Sequence, residues 1–159
     1  MRRVFGDTDL YESKRDGMLS ASCFEGRNNG CLPHFHSSIE LVYVEEGELT
    51  AILDGQSHLV PAGHLLLTSS YSVHAYRTEE GKSNQVVVLI IPLDSVPSLQ
   101  KALNKKNFRK VVYDARNDQE ISTLFPMIAK RWEEYSPETV KGFSYALLGL
   151  LISRVGLVD

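Results

Sequence analysis

Apolar positions from Met18 to about residue 92 come in short runs broken by turn residues, which is the signature of strands. Met18 to Phe24 is apolar enough for one strand, and 25–29 with Gly26 and Gly30 reads as a loop. Ile39 to Glu45, Leu49 to Leu53 and Ser57 to Val60 follow, separated by Glu46-Gly47 and Asp54-Gly55. Asp-Gly is a strong tight-hairpin signal, because two successive residues must tolerate positive φ. Pro61-Ala62-Gly63 turns the chain into His64 to Thr68, and Val73 to Arg77 comes after a Ser-Ser-Tyr-Ser loop. Asn84 to Ile91 is continuously apolar up to Pro92, as a strand buried on both faces should be. Seven or eight short strands without interleaved helices predict an antiparallel sandwich or barrel.

The period then changes. Asp94 to Lys105 is helix-compatible, with Pro97 in its first turn, and Phe108 to Tyr113 alternates like one more edge strand. Ile121, Leu124, Phe125, Ile128, Ala129 and Trp132 form a helical stripe within Asp118 to Tyr135, and Pro126 inside it predicts a kink or a late start. Ser136-Pro137-Glu138 is a helix start: a cap, Pro at the first helical position, then an acid on the positive end of the dipole. That helix should run to about Arg154, and from Phe143 onward it is apolar nearly all round. Such a helix is either wrapped by its own domain or used as an interface. A small barrel has little surface to cover it, so the expectation is a dimer contact through Phe143, Leu147, Leu150 and Leu151.

Composition narrows the function class. The chain has 159 residues, enough for one filled core and too few for two ordinary domains; it is 43% hydrophobic and 23% charged, as a soluble globular protein is. A net charge of −3 offers nucleic acid no general attraction, so this chain is not expected to bind DNA by itself. The N-terminus has no apolar signal segment, and Phe143 to Val158 is too interrupted to span a bilayer, so a cytoplasmic protein with no membrane partner is expected. Cys23 and Cys31 do not have a zinc spacing, and they read as ordinary thiols in a reducing compartment. Three segments follow: a polar N-terminal arm over 1–16, a barrel over 17–115 and a helical dimerisation segment over 116–159.

The candidate chemistry lies in Pro33 to Gly47, P-H-F-H-S-S-I-E-L-V-Y-V-E-E-G. His34, His36 and Glu40 share one parity, so on a regular strand both imidazoles and the carboxylate face one side. His74, near the start of a later strand, is the candidate for a fourth position. Three His and one Glu suit Zn, Mn, Fe or Ni, with open positions for water or substrate. Without a metal, the same residues can line a pocket that hydrogen-bonds a polar small molecule such as a sugar, or pair with one another in the core. Tyr76 shares the parity of His74, Val42 that of Glu40, and both are expected in the pocket; Phe24 is expected to close one end of the barrel. His58 and His64 read as surface residues, and Trp132 as core or interface.

The spacings H-x-H-x3-E-x6-G and G-x10-H, from His34 to Gly47 and from Gly63 to His74, resemble the cupin signature. The first half matches at every position from His34 to Gly47, although the leading Gly is not at its usual distance. In the second half Ser69 stands where Pro is usual, Tyr71 where Gly is usual and Thr78 where Asn is usual. The longer runs H-x-H-S-S-I-E-L-V-Y-V-E-E-G-E-L-T and V-P-A-G-H-L-L-L-T-S-S-Y-S-V-H-A-Y are similar to the N-terminal sensing domain of AraC-type transcriptional regulators. The resemblance implies a mainly β fold, an antiparallel cupin-like β-barrel (a double-stranded β-helix) followed by C-terminal α-helices. It implies a small-molecule effector inside the barrel, a homodimer through the last helices, and DNA contacted by a C-terminal helix-turn-helix part absent from this chain. Ligand-binding positions are then His34, His36, Glu40, Val42, His74, Tyr76 and Phe24, with His34, His36, Glu40 and His74 as metal ligands and no catalytic residue. The alternative is a metal-dependent cupin enzyme, an isomerase or dioxygenase, on the same three His and Glu. The ending Gly-Leu-Val-Asp, straight after an apolar helix, reads as the cut edge of a sensor part of a longer protein.

Overall fold

A computed structural model describes residues 11, 12, 16 and 18–159; most of the arm expected over 1–16 therefore lies outside the described residues. Among the described residues, ten strands and three α-helices follow in order: β1 (Ser22–Arg27), β2 (Cys31–His34), β3 (Ile39–Leu53), β4 (Gln56–Pro61), β5 (His64–Thr68), β6 (His74–Arg77), β7 (Asn84–Ile91), α1 (Pro97–Leu103), β8 (Asn107–Phe108), β9 (Val112–Asp114), α2 (Gln119–Lys130), α3 (Pro137–Val155) and β10 (Leu157–Val158).

The pivot of the fold is β3. Its first half pairs antiparallel with β7 and β5, and its second half with β4 and β6. One wall therefore runs β1-β7-β3-β5-β9, the other β2-β6-β3-β4, and the single bent strand joins them. The turn expected at Glu46-Gly47 is instead a bulge within this strand, between Val44 and Glu46. An extra residue bends a strand without ending it. Gly47 takes φ +75°, and a Cβ there would collide with the Ser83 carbonyl, so only glycine allows the strand to pass so close to the chain before β7. The architecture is the expected cupin-like one. Among the described strands the hydrogen-bond ladder leaves β1 and β2 as edges rather than closing a full cylinder.

Strict alternation makes two cores. Val42, Val44, Leu66, Val86, Val88 and Ile90 fill the inside between the walls. Their neighbours Leu41, Leu65, Leu67, Val87, Leu89 and Ile91 face the other way, into a second core built with the helices. This explains why β7 is apolar at both parities. Tyr43 stacks on Phe125 of α2 across that second core, ring centroids 5.7 Å apart.

The helices start where their caps predict. Asp118 accepts from the Ile121 N–H at 3.2 Å, and Ser136 from the Thr139 N–H at 3.2 Å. Pro126 neither delays nor ends α2, which begins seven residues before it and continues to Lys130. Phe108 to Tyr113 splits between two short strands: β8 pairs with β10, and β9 pairs with β5. Strand β1 starts later than expected and runs through Gly26, because its whole length pairs with β7. Among the described residues, no helix is long and apolar enough to cross a membrane.

The last helix is wrapped by its own chain on one side. Leu147, Leu148 and Leu151 are fully buried in the second core, whereas Phe143 and Leu150 are half-buried. Leu147 and Leu151 thus offer no surface to a partner, which corrects their expected place in an interface. The outer face of the β1-β7-β3-β5-β9 wall, hydrophobic in its own right, supplied the cover that the sequence seemed to lack.

Candidate functional site

Antiparallel pairing of β2 with β6 puts His34 directly opposite His74, and their ring centroids are 4.2 Å apart. His36 follows on the same parity, and Glu40 enters from β3 with the inward set of Val42 and Val44. One ligand atom from each of His34, His36, Glu40 and His74 lies within 4.8 Å of all the others. His36, Glu40 and His74 are buried at 1%, 3% and 1% exposure, while the His34 side chain keeps 20%.

The outer nitrogens fix the inner ones. Nδ1 of His34 lies 2.8 Å from the Leu32 carbonyl, that of His36 3.1 Å from the Ser38 carbonyl, and that of His74 2.8 Å from the Ser72 carbonyl. A carbonyl only accepts, so each Nδ1 carries the proton and donates. Each Nε2 is then free to point its lone pair inward, which is how a metal-ligating imidazole is held. Yet Nε2 of His36 and of His74 lies 2.9 and 3.0 Å from the same Glu40 oxygen, Oε2. Two lone pairs against a carboxylate repel. The contact is favourable only with a second proton on each ring or a cation at the point of convergence. The donor set and its geometry therefore fit a divalent transition metal.

The charges agree. Burial works against ionising Glu40, but hydrogen bonds and charge from His36 and His74 outweigh it and hold the carboxyl far below its usual range. Burial likewise opposes protonation of His74, and Glu40 reverses this, raising its pKa. At His34 burial and the neighbouring His74 win, and the ring is held neutral more readily. The Tyr76 hydroxyl donates to Glu40 Oε1 at 3.1 Å, fixing the carboxylate so that Oε2 faces the rings. Burial first, then the Glu40 charge, pushes that phenol well above its ordinary value, so it stays a donor.

A cavity of about 240 Å³ opens over these groups, lined by Phe24, Cys31, His34, Glu40 and Tyr76 among others. It spans from β1 to β2, each an edge of its wall. Phe24 stands at its rim, 42% exposed, and Val42 lies deeper, fully buried in the apolar interior and not on the cavity wall. Val88, Ile90 and Cys31 also line it. Val88 and Ile90 share one parity of β7, a signal hidden by the apolar residues between them, and Cys31 is found only through its pairing with Tyr76. Burial pushes the Cys31 thiol up to about 12, so it stays protonated, and both cysteines are free thiols. Glu12 reaches the cavity from the N-terminal side, and nothing in its sequence surroundings announces it. His64, expected at the surface, is half-buried, its Nδ1 3.0 Å from the Ala62 carbonyl and its Nε2 3.7 Å from Asp114; Trp132 is half-buried against the second core.

Solved structures place the fold among known proteins. ToxT from Vibrio cholerae strain SCE256, with an unsaturated fatty acid bound, superposes with a TM-score of 0.56 at 14% identity, over 87% of this chain and 57% of its own. A second structure of Vibrio cholerae ToxT gives 0.55 at 14% identity, over 86% and 58%. The chain thus spans less than two thirds of ToxT. A cupin protein from Bacteroides fragilis matches 47% of this chain and 68% of its own at 14% identity, with a TM-score of 0.43. Among curated proteins nothing matches by sequence. The model of the AraC-like ligand binding domain matches residues 21–146, most of the chain and all of the site but Glu12, and the chain belongs to that family.

Proposed function

We propose that this chain is the effector-sensing and dimerisation domain of an AraC-type transcriptional regulator, and that its effector binds inside the barrel over His34, His36, Glu40 and His74. The observation that carries the reading is the convergence of three imidazoles and one carboxylate, of which His34 and Glu40 line a cavity open to solvent while His36 and His74 lie buried behind them. A divalent ion held there supplies a Lewis-acidic position for an oxygen of the effector. ToxT is seen with an unsaturated fatty acid. Here the cavity is smaller than most drug-sized pockets and its floor is ionic, which suits a compact polar molecule such as a sugar better than a hydrocarbon chain. An effector acts by binding one arrangement of the domain better than another. The dimer contact falls to the outer side of α3, at Phe143 and Leu150. DNA is contacted by a part beyond this chain, and the protein works in the cytoplasm.

The alternative, a metal-dependent isomerase or dioxygenase, needs an acid or base poised near neutral pH beside the ion. Tyr76 is bonded to Glu40 and keeps its proton well above that range, so the sensor reading is preferred. Metal analysis of protein purified without a chelating tag tests the floor. Near-stoichiometric Zn, Mn, Fe or Ni is expected, and its loss in His34→Ala. Absence of metal together with unchanged stability of His34→Ala would defeat the metal-bearing floor. A sugar panel read by thermal shift tests the ligand class, with a rise in melting temperature expected for the effector.

A further inference from the structure

The two fully buried imidazoles, His36 and His74, lean on one short turn, residues 69–73, between β5 and β6. The Tyr71 N–H donates to the His36 carbonyl at 2.8 Å, and the Ser70 hydroxyl to the Ser37 carbonyl beside it. The Ser72 carbonyl accepts from Nδ1 of His74 at 2.8 Å. Asp54 holds the far end of the turn, accepting from the Ser72 hydroxyl at 2.6 Å and the Val73 N–H at 2.9 Å. Tyr71 takes φ +63°, a left-handed conformation unusual for a bulky side chain, and such outliers persist only where their surroundings fix them.

The near end of the turn reaches another part of the fold. The buried Ser69 hydroxyl accepts from the Phe108 N–H of β8 at 3.0 Å. Ser69 is one of the places where the chain departs from the cupin signature, and the usual Pro has no hydroxyl to offer. Successive N–H groups of a strand point opposite ways. The next one, of Arg109, faces away from Ser69 and donates to the Gly156 carbonyl at 3.0 Å, at the start of β10. Thus β8 lies between the turn and the chain that follows α3. The β8–β10 ladder is only Leu157 opposite Phe108 and Val158 opposite Asn107, with both β10 residues half-buried and Lys106 paired to Asp159 beyond them. So short a ladder opens at low cost.

We infer that Ser69 is a positioning residue that couples the His36–His74 pair to the β8–β10 ladder: filling the site fixes the turn, the turn holds Phe108, and β10 closes on β8. This rests on the reading of the site as one that a cation fills, and on that reading β10 leads toward the part that contacts DNA. The two states are β10 paired and β10 open. Coupling is reciprocal, so pairing of β10 favours the filled site by the same factor.

The test is hydrogen exchange at the Arg109 amide, followed by NMR with and without Zn(II), together with Zn(II) affinity by chelator competition. In wild type, saturating Zn(II) should slow Arg109 exchange by about fivefold or more. Ser69→Ala should still bind Zn(II), more weakly by no more than that factor, and its Arg109 exchange should no longer respond to the ion. A Ser69 that only satisfied a buried N–H would leave that response in place. Val158→Pro, which removes an N–H from the ladder, checks the reverse direction in a variant that spares the turn: Zn(II) affinity should fall by the factor measured as protection. His36→Ala should bind no Zn(II) at the site. If wild type binds Zn(II) with Arg109 exchange unchanged, or if Ser69→Ala responds as wild type does, or if Val158→Pro keeps full affinity, the coupling is overturned and the four-ligand floor stands. If folded wild type takes up no Zn(II), the floor and the coupling to it both fall.

Discussion

At Glu40 one carboxylate serves two imidazoles through Oε2 and a phenol through Oε1. The division of labour predicts separable effects. Tyr76→Phe leaves the rings in place but frees the carboxylate to turn. It should weaken Co(II) or Zn(II) binding by about tenfold, read by competition titration, and cost about 1–2 kcal/mol in urea unfolding. At Gly47 the constraint is backbone rather than chemistry. Gly47 and Gly81 share φ +75°, but a Cβ meets the Ser83 carbonyl at the first and nothing within 4 Å at the second. Gly81→Ala should therefore cost only the conformational part, about 1–2 kcal/mol. Gly47→Ala should cost clearly more, because the backbone carbonyl cannot yield as a side chain would. Equal losses in denaturant melts would contradict the close approach. The four convergent residues were legible in the sequence because His34, His36 and Glu40 share one parity, although they are not on one continuous strand (β2 ends at His34 and Glu40 stands on β3), and the fourth follows at a set distance from Gly63. Glu12 was not, because its place depends on a fold-back onto Phe35 that no local pattern encodes.

At the element scale, the second core is where the helices earn their place. Phe125 is buried against Tyr43, and Leu147, Leu148 and Leu151 are fully buried beside it. Phe125→Ala should cost about 3–5 kcal/mol. The join between α2 and α3 is ionic at its rim. Arg154 bonds Asp118 at 3.1 Å and Glu120 at 2.8 Å, while Asp118 also caps α2 and accepts from Tyr113 at 2.8 Å. Burial tends to raise the Asp118 carboxyl, but the Tyr113, Ile121 and Arg154 hydrogen bonds outweigh it and hold it below its ordinary value. A depressed folded pKa means the stabilisation is present above the unfolded value, about pH 4, and is lost as pH falls through the folded one. Asp118→Ala should thus be about 1 kcal/mol less stable at pH 7, with the gap to wild type narrowing in melts carried down to acid pH. A constant gap would show that Asp118 stays charged or does not matter. Strand and helix existence was readable from periodicity. The continuity of β3 was not, because a glycine after two acids reads locally as a turn, and only pairing on both sides shows a bulge.

For the whole molecule, the sorting of α3 between core and surface decides the assembly. Leu147→Ala, inside, should lower stability by about 2–5 kcal/mol without selectively affecting association. Leu150→Asp, half-buried on the outer side, should shift a sedimenting dimer toward monomer. A wild-type monomer at high micromolar concentration would remove the dimer proposal. The sequence by itself determined the class of fold, since strand-period runs up to Pro92 followed by helix-period stripes leave few layered solutions, and it determined the identity of the convergent donors, since parity and spacing are local. Three things were decided only in three dimensions. The partner of the apolar helix is the chain's own outer sheet face, because burial depends on surfaces brought together from distant segments. The protonation of the imidazoles follows from carbonyls that happen to lie behind each ring. The contact of Glu12 with His34 exists because the Glu12 backbone bonds that of Phe35, beside His34, a long-range pairing that no stretch of sequence specifies alone.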